Sequence, residues 1–72
     1  MKKHLFRKLL HERYGRTDCN SELVRVLGIS PNTATARLSN KQPLRTDELE
    51  ILRKEYDLTA EELVDVFVKE GD

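Results

Sequence analysis

The sequence predicts an all-α domain, a compact arrangement of five short helices. Apolar residues recur along nearly the whole chain at the three- and four-residue spacing of a helix face. Residues that favour helix starts and helix ends separate these segments, and the 72 residues include only three glycines and two prolines. A chain of this length forms one small domain at most, so we expect residues 1–72 to share a single core.

The first two helices are marked by apolar stripes that each end at a glycine. The stripe of the first helix consists of Leu5, Phe6, Leu9, Leu10 and Tyr14. Gly15 is placed to end this helix, and Gly28 to end the second. Three side chains are candidates to cap the start of the second helix: Thr17, Asp18 and Asn20. The inward residues of this helix are predicted to be Leu23, Val24 and Leu27.

The third helix is predicted to begin at a Ser-Pro pair. Ser30 is a suitable N-cap, and Pro31 fits the first helical position, where its missing N–H is not needed. Ile29, just before this pair, is expected to be a buried turn residue. The helix runs to about Ser39 and ends near Asn40, a residue that tolerates left-handed geometry.

A fourth helix follows a loop over residues 41–45, in which Pro43 prevents helix continuation. Thr46 is expected to cap this helix. Its first turn is acidic, which suits the positive end of the helix dipole, and contains Asp47, Glu48 and Glu50. Its inward face is predicted to consist of Leu49, Leu52 and Tyr56, with Ile51 beside them.

The fifth helix begins with a capping box formed by Thr59 and Glu62, across which Leu58 and Leu63 can pack as a hydrophobic staple. Gly71 is expected to end the helix. Its inward residues are predicted to be Leu63, Val64 and Phe67.

Val66 and Val68 are apolar positions that this helix packing leaves unused, so we expect them at a dimer interface. Residues 64–68 are also rich in β-formers, and an edge strand used for dimerisation is the alternative. We favour the helix because the capping box sets the helical phase immediately before this segment.

The composition excludes several classes of protein. With 38% apolar and 36% charged residues, the chain is too apolar for disorder. Its longest apolar run is three residues, so we expect neither a membrane span nor a signal peptide. Cys19 is the only cysteine and fits the reducing cytoplasm. His4, His11 and Cys19 lack the spacing of a zinc site, and no nucleophile has a placed base, so we expect no metal, no cofactor and no enzyme activity.

The chain has no net charge, but its charges are not mixed. Residues 1–45 contain ten lysines and arginines against three acidic residues, a balance of +7, and residues 46–72 contain three against ten, a balance of −7. Such asymmetry favours a basic face that binds a polyanion. The alternative is that the two halves interleave in space and their charges only solvate the surface.

Residues 20–39 are the segment that indicates a function. Two short helices joined by a tight turn can enclose a small core of Leu23, Leu27, Ile29, Ala34 and Leu38. The opposite side of the third helix then presents Asn32, Thr35, Ala36 and Ser39. Exposed helix faces usually carry Glu and Lys, so this uncharged stripe of small side chains is unusual.

A DNA major groove explains such a stripe. Small side chains let a helix approach the base edges, Asn pairs bidentately with adenine, and Thr or Ala methyl groups contact the thymine methyl. Arg37, Lys41 and Arg45 would then contact phosphates at the rim. Arg37 is also a candidate base reader, although its place beside Thr33 favours phosphate. Four cations near the start of the chain are either a basic arm that reaches the DNA or a solvated helix start: Lys2, Lys3, Arg7 and Lys8.

Residues 20–41 resemble the helix-turn-helix of lambda-repressor-like and Cro-like proteins, especially in Leu23-Val24-Arg25-Val26-Leu27-Gly28-Ile29-Ser30. The resemblance implies a small phage-associated transcriptional regulator in a bacterial or infected cell, binding an operator as a homodimer on an inverted repeat. It implies base contacts from Ser30, Pro31, Asn32, Thr35, Ala36 and Ser39. It implies phosphate contacts from Asn20, Ser21 and Thr33, beside those of the cations above. The family usually has Gln where Asn20 stands, and a small residue where Val24 stands.

Two other interpretations stay open. The chain is an interaction module, such as an antirepressor or an antitoxin-like partner, if its acidic C-terminal half is the working surface. Its neutral total charge, unusual for a DNA binder, favours this interpretation. Alternatively, the chain is the amino-terminal domain of a longer repressor.

Overall fold

The computed structural model describes residues 1–69, and within that range the regular secondary structure is all helical. The helices are α1 (Lys3–Tyr14), α2 (Cys19–Leu27), α3 (Pro31–Leu38), α4 (Thr46–Glu55) and α5 (Ala60–Leu63), and α5 continues directly as a π-helical segment over Val64–Val68. The predicted all-α class with five helices is therefore confirmed. The alternative of an edge strand over residues 64–68 is wrong. Gly71, predicted to end the last helix, lies outside the described residues.

The residues predicted to end the first three helices have the left-handed backbone conformation that is common at helix C-terminal caps. Gly15 has φ 67° and Gly28 has φ 66°, a region that glycine adopts without strain. Asn40 follows α3 with φ 63°, which confirms the expected stop near this residue. Helix α3 ends at Leu38, one residue before the predicted Ser39.

The helix starts agree with the sequence at three places and differ at one. Asp18 caps α2, since its Oδ1 accepts from the Ser21 N–H at 3.1 Å. Ser30 caps α3, and Thr59 caps α5 within the predicted capping box. The expectation that Thr46 caps α4 is wrong. The N-cap is Arg45, whose own N–H donates to Glu48 Oε1 in the first turn at 2.9 Å.

All helices contribute to one core, whose centre is aromatic. The ring of Phe6 packs edge-on against Tyr56 and Phe67, with centroid separations of 5.6 and 4.9 Å. Around it lie Leu9, Leu10, Leu23, Ala34, Leu38, Leu52 and Leu58, all buried. Tyr14, the last residue of the predicted α1 stripe, lies instead at the exposed rim, where the Arg16 guanidinium lies 4.9 Å from its ring centroid.

The π-helical segment changes which valines face the core. The Lys69 N–H donates to the Val64 carbonyl at 2.9 Å, a bond that spans five residues instead of four and so widens the turn. Val64 was expected to face inward and is 39% exposed, whereas Val66 was expected to be unused and is only 7% exposed. Both expectations are wrong because they assumed an ordinary α-helical turn over these residues. Val68 is 47% exposed, as predicted.

The first two residues pack onto both the end of α3 and the π-helical segment. Met1 is buried, its carbonyl accepts from Asn40 Nδ2 at 3.0 Å, and its ammonium group donates to Asn40 Oδ1. The Lys2 N–H donates to the Val66 carbonyl at 2.8 Å. The neighbouring cations Lys3, Arg7 and Lys8 lie on the exposed side of α1. These cations therefore belong to the helix itself and not to an extended arm.

Candidate nucleic-acid interface

Helices α2 and α3 are joined by a three-residue turn, residues 28–30, and pack on each other. Leu23 and Ala34 are completely buried between the helices and the rest of the core, and Leu38 is nearly so. Leu27 and Ile29 are half-buried against the same cluster. The predicted small core is therefore formed, and it determines which side of α3 faces solvent.

That solvent-facing side carries the predicted stripe. Asn32, Thr35 and Ser39 are exposed and Ala36 is half-buried. Of the other residues assigned to base edges, Ser30 and Pro31 are exposed at the start of α3. The structure thus brings together an uncharged surface of small side chains, with helix backbone close beneath it.

Asn20 ties the start of α2 to α3. Its Nδ2 donates to the Thr35 hydroxyl oxygen at 2.9 Å and to the Pro31 carbonyl at 3.2 Å. The Thr35 hydroxyl in turn donates to the Pro31 carbonyl at 3.0 Å. The amide that the resemblance assigned to a phosphate is thus occupied within the protein. It fixes the Thr35 rotamer and so the direction of the threonine methyl group.

The start of α2 is a poorer anion site than an uncapped helix N-terminus, because the Asp18 carboxylate caps it. The Ser21 N–H and then its hydroxyl donate to the Asp18 carboxylate, which lowers the pKa of Asp18 below its ordinary value. Ser21, expected to contact phosphate, therefore lies beside a negative charge. Lys3 and Arg7 of α1 line the adjoining open cavity of about 210 Å³, and their positive charges lie on the same cavity as the Asp18 carboxylate. Burial raises the pKa of the neighbouring Cys19 thiol.

Arg37 faces α4 and not the stripe. Its Nε and Nη2 donate to the two oxygens of Glu48 at 3.1 and 3.2 Å, and its Nη1 donates to Gln42 Oε1 at 2.8 Å. Its side chain is only 11% exposed, and that of Glu48 8%. This placement does not support the expected phosphate contact. The sequence contained no signal for the pair, because its members lie 11 residues apart on two helices.

The loop after α3 presents the two remaining cations. The Lys41 N–H and the Gln42 N–H both donate to the Ala36 carbonyl, at 3.0 and 3.2 Å, so the loop turns back on the last turn of α3. The side chains of Lys41 and Arg45 are exposed, and Arg45 Nε lies 3.3 Å from Asp47 Oδ1. Thr33, also assigned to phosphate, is half-buried and accepts at its Oγ1 from the Ser30 hydroxyl at 2.9 Å.

No group of three His, Cys, Asp or Glu side chains within residues 1–69 is arranged to hold a metal ion. Over the same range, no helix combines the length and the apolar character needed to cross a membrane. No protein-family model matches the chain, and comparisons with curated proteins and with solved structures give no significant match.

Proposed function

We propose that this chain is a sequence-specific DNA-binding transcriptional regulator of the phage repressor or Cro type, with α2 and α3 acting as a helix-turn-helix. The observation that carries the proposal is the exposed, uncharged side of α3, formed by Asn32, Thr35, Ala36 and Ser39. These side chains are short enough for the helix to reach base edges, and their amide, hydroxyl and methyl groups match the major-groove pattern.

The cations around this surface support the same docking. Lys41 and Arg45 follow α3 in the chain, and Lys3 and Arg7 border the start of α2. In the proposed complex they contact phosphates on either side of the groove, where they position α3 without reading sequence. Arg37 is not among them, because Glu48 and Gln42 already use its donors.

The mechanism we propose is occupancy of an operator. Two copies would form a homodimer and place their α3 helices in successive major grooves, about 34 Å apart, and so block or guide polymerase. Of the two valines expected at the dimer interface, Val68 is exposed and available for the contact, whereas Val66 is buried in the core. No cofactor, metal or small-molecule substrate takes part, and the protein acts in the cytoplasm of a bacterial or phage-infected cell.

The test is DNA binding by the intact chain at two salt concentrations, followed by selection of sites from a randomised duplex pool. We expect salt-dependent binding that enriches an inverted repeat. N32A should relax preference at one base position, by about five- to a hundredfold. K41A should weaken binding to every sequence and lower the salt slope by about one.

The matched control for K41A is K54A, which removes the same charge from the exposed end of α4, outside the proposed face. It should leave both affinity and salt slope close to wild type. An absence of binding at low salt would overturn the proposal. If K54A and K41A have equal effects, the docking face is wrong.

A second function, interaction with a protein partner, is favoured by two observations. The chain has no net charge, and the Asp18 carboxylate occupies the start of α2, where a phosphate would otherwise bind. In that case the acidic surface of α4 and α5 would contact a basic partner. The experiment above separates the two functions, because only the DNA-binding function predicts a salt-dependent affinity for random duplex.

A further inference from the structure

The ion pair between Arg37 and Glu48 connects the last turn of α3 to the first turn of α4. It is bidentate, with contacts of 3.1 and 3.2 Å, and both side chains are about nine-tenths buried. Exposed ion pairs contribute little to stability, whereas a buried bidentate pair fixes the relative orientation of the elements it joins.

Each member of the pair has a further partner in the loop between the helices. Glu48 Oε1 also accepts from the Arg45 N–H at 2.9 Å, and Arg37 Nη1 donates to Gln42 Oε1 at 2.8 Å. The loop is therefore held near its middle by Arg37 and at its end by Glu48. This loop carries Lys41 and Arg45, the two cations proposed to contact phosphate.

A loop that is ordered before binding loses less conformational entropy when the complex forms, and so gains affinity without any new contact. The near-buried Glu48 carboxylate also neutralises the Arg37 guanidinium. Arg37 consequently adds no net charge to the DNA-facing surface, although its position in the sequence is within the proposed recognition helix.

We infer that Arg37 and Glu48 are positioning residues for DNA recognition: their ion pair sets the angle of α3 and the place of the 39–45 loop, and Arg37 itself contacts no phosphate. This inference rests on the proposed function. It assigns sequence specificity in part to a pair of residues that touch no base.

The variants E48Q and R37K separate this role from a phosphate contact. E48Q removes the charge that holds Arg37. For a positioning pair, affinity for the selected operator falls about tenfold, and the preference over random duplex falls with it. If Arg37 were a phosphate contact restrained by Glu48, the same change would raise affinity and steepen the salt slope by about one.

R37K keeps the positive charge but loses the planar two-point geometry. For a positioning pair, R37K weakens operator binding as much as E48Q does, because the guanidinium fork is what aligns α3 with α4. A lysine would replace an arginine well at a phosphate, since a point charge suffices there. A wild-type affinity for R37K would therefore overturn the inference.

E50Q is the matched control, because it removes one negative charge from an exposed position on the same helix. It should leave the specificity ratio unchanged. All affinities are corrected to the folded fraction, measured by thermal unfolding. After this correction, a residue that only stabilises the fold would leave both operator and random binding at their wild-type values, and such a result for E48Q would overturn the positioning role.

The two levels of failure are distinct. If the wild-type chain binds no DNA, the proposed function and the positioning role both fall. If the wild-type chain binds its operator and E48Q binds it equally well, only the positioning role falls.

Discussion

The phenol of Tyr56 donates a hydrogen bond of 2.7 Å to Glu22 Oε1, which joins the end of α4 to α2 inside the core. Tyr56 is 1% exposed, and Glu22 is also buried. Arg16 Nε and Arg25 Nη2 approach the two oxygens of the same carboxylate at 3.2 and 3.1 Å. Three side chains therefore meet at the Glu22 carboxylate, and the Tyr56 bond ties the end of α4 to α2.

The loss of the Tyr56 hydroxyl should destabilise the fold. Y56F leaves a buried carboxylate with one donor fewer, and we expect the free energy of unfolding to fall by about 1.5–3 kcal/mol. Urea denaturation measures this change. Y14F is the control, because the Tyr14 hydroxyl makes only a 3.3 Å bond to the Tyr56 carbonyl at an exposed rim. Equal losses in the two variants would contradict the assigned role of Glu22.

The same bond predicts how stability changes at high pH. Burial, and then the hydrogen bond to Glu22, raise the pKa of Tyr56 well above its ordinary value of 10.0. Above pH 10 the unfolded chain therefore releases the phenol proton while the folded chain keeps it. The contribution of the raised Tyr56 pKa to the free energy of unfolding is therefore complete below pH 10. It decreases as the pH rises above 10, by up to about 1.4 kcal/mol per pH unit.

Y56F lacks this group, so the stability difference between wild type and Y56F should narrow between about pH 10 and pH 11.5. Urea titrations at several pH values measure it. Parallel pH profiles for the two proteins would show that the folded-state pKa of Tyr56 is not raised.

The π-helical segment after α5 predicts which of two valine substitutions destabilises the chain more. V66A should destabilise the chain by about 2 kcal/mol, because it removes two methyl groups from the core. V64A should cost about 0.5 kcal/mol or less, because this side chain is exposed. The two free energies of unfolding are directly comparable. The opposite order would mean that the segment continues as an ordinary α-helix.

The contact between Asn40 and Met1 can be isolated with glycine substitutions. Asn40 and Asp57 both have left-handed backbones, with φ 63° and 51°. D57G should be neutral or stabilising by up to about 1 kcal/mol, because glycine relieves the strain. N40G gains the same relief but loses the side-chain contacts to Met1, so we expect it to be less stable than wild type by about 0.5–1 kcal/mol. Thermal unfolding measures the stability of both variants relative to the wild type. Equal changes in N40G and D57G would contradict a stabilising contact between Asn40 and Met1.

The sequence was sufficient for most of the local structure. Ser30, Thr59 and the two cap glycines act through residues within four positions of themselves, so their patterns identify helix ends without knowledge of the fold. The buried face of α3 was also predictable, because Ala34 and Leu38 lie one turn apart. The exposed stripe is the other side of the same helix and follows from that assignment.

The remaining features depend on pairs that are distant in sequence. Asn20 and Thr35 meet only after α2 and α3 have packed, and the partner of Arg37 lies on another helix. Composition and periodicity contain no information on which side chains will meet across such an interface. The π-helical segment was missed for a different reason, since no local signal in the sequence marks the wider turn that buries Val66 and Phe67 together.

The bond between the Lys2 N–H and the Val66 carbonyl has a consequence for synthesis on the ribosome. It closes a loop that contains nearly all of the chain, and such closures carry a large entropic cost. Helices α2 and α3 can pair soon after they emerge, because their contacts are local. During synthesis this bond cannot form until Val66 has left the exit tunnel, so residues 1–2 take their place later than α2 and α3 pair with each other.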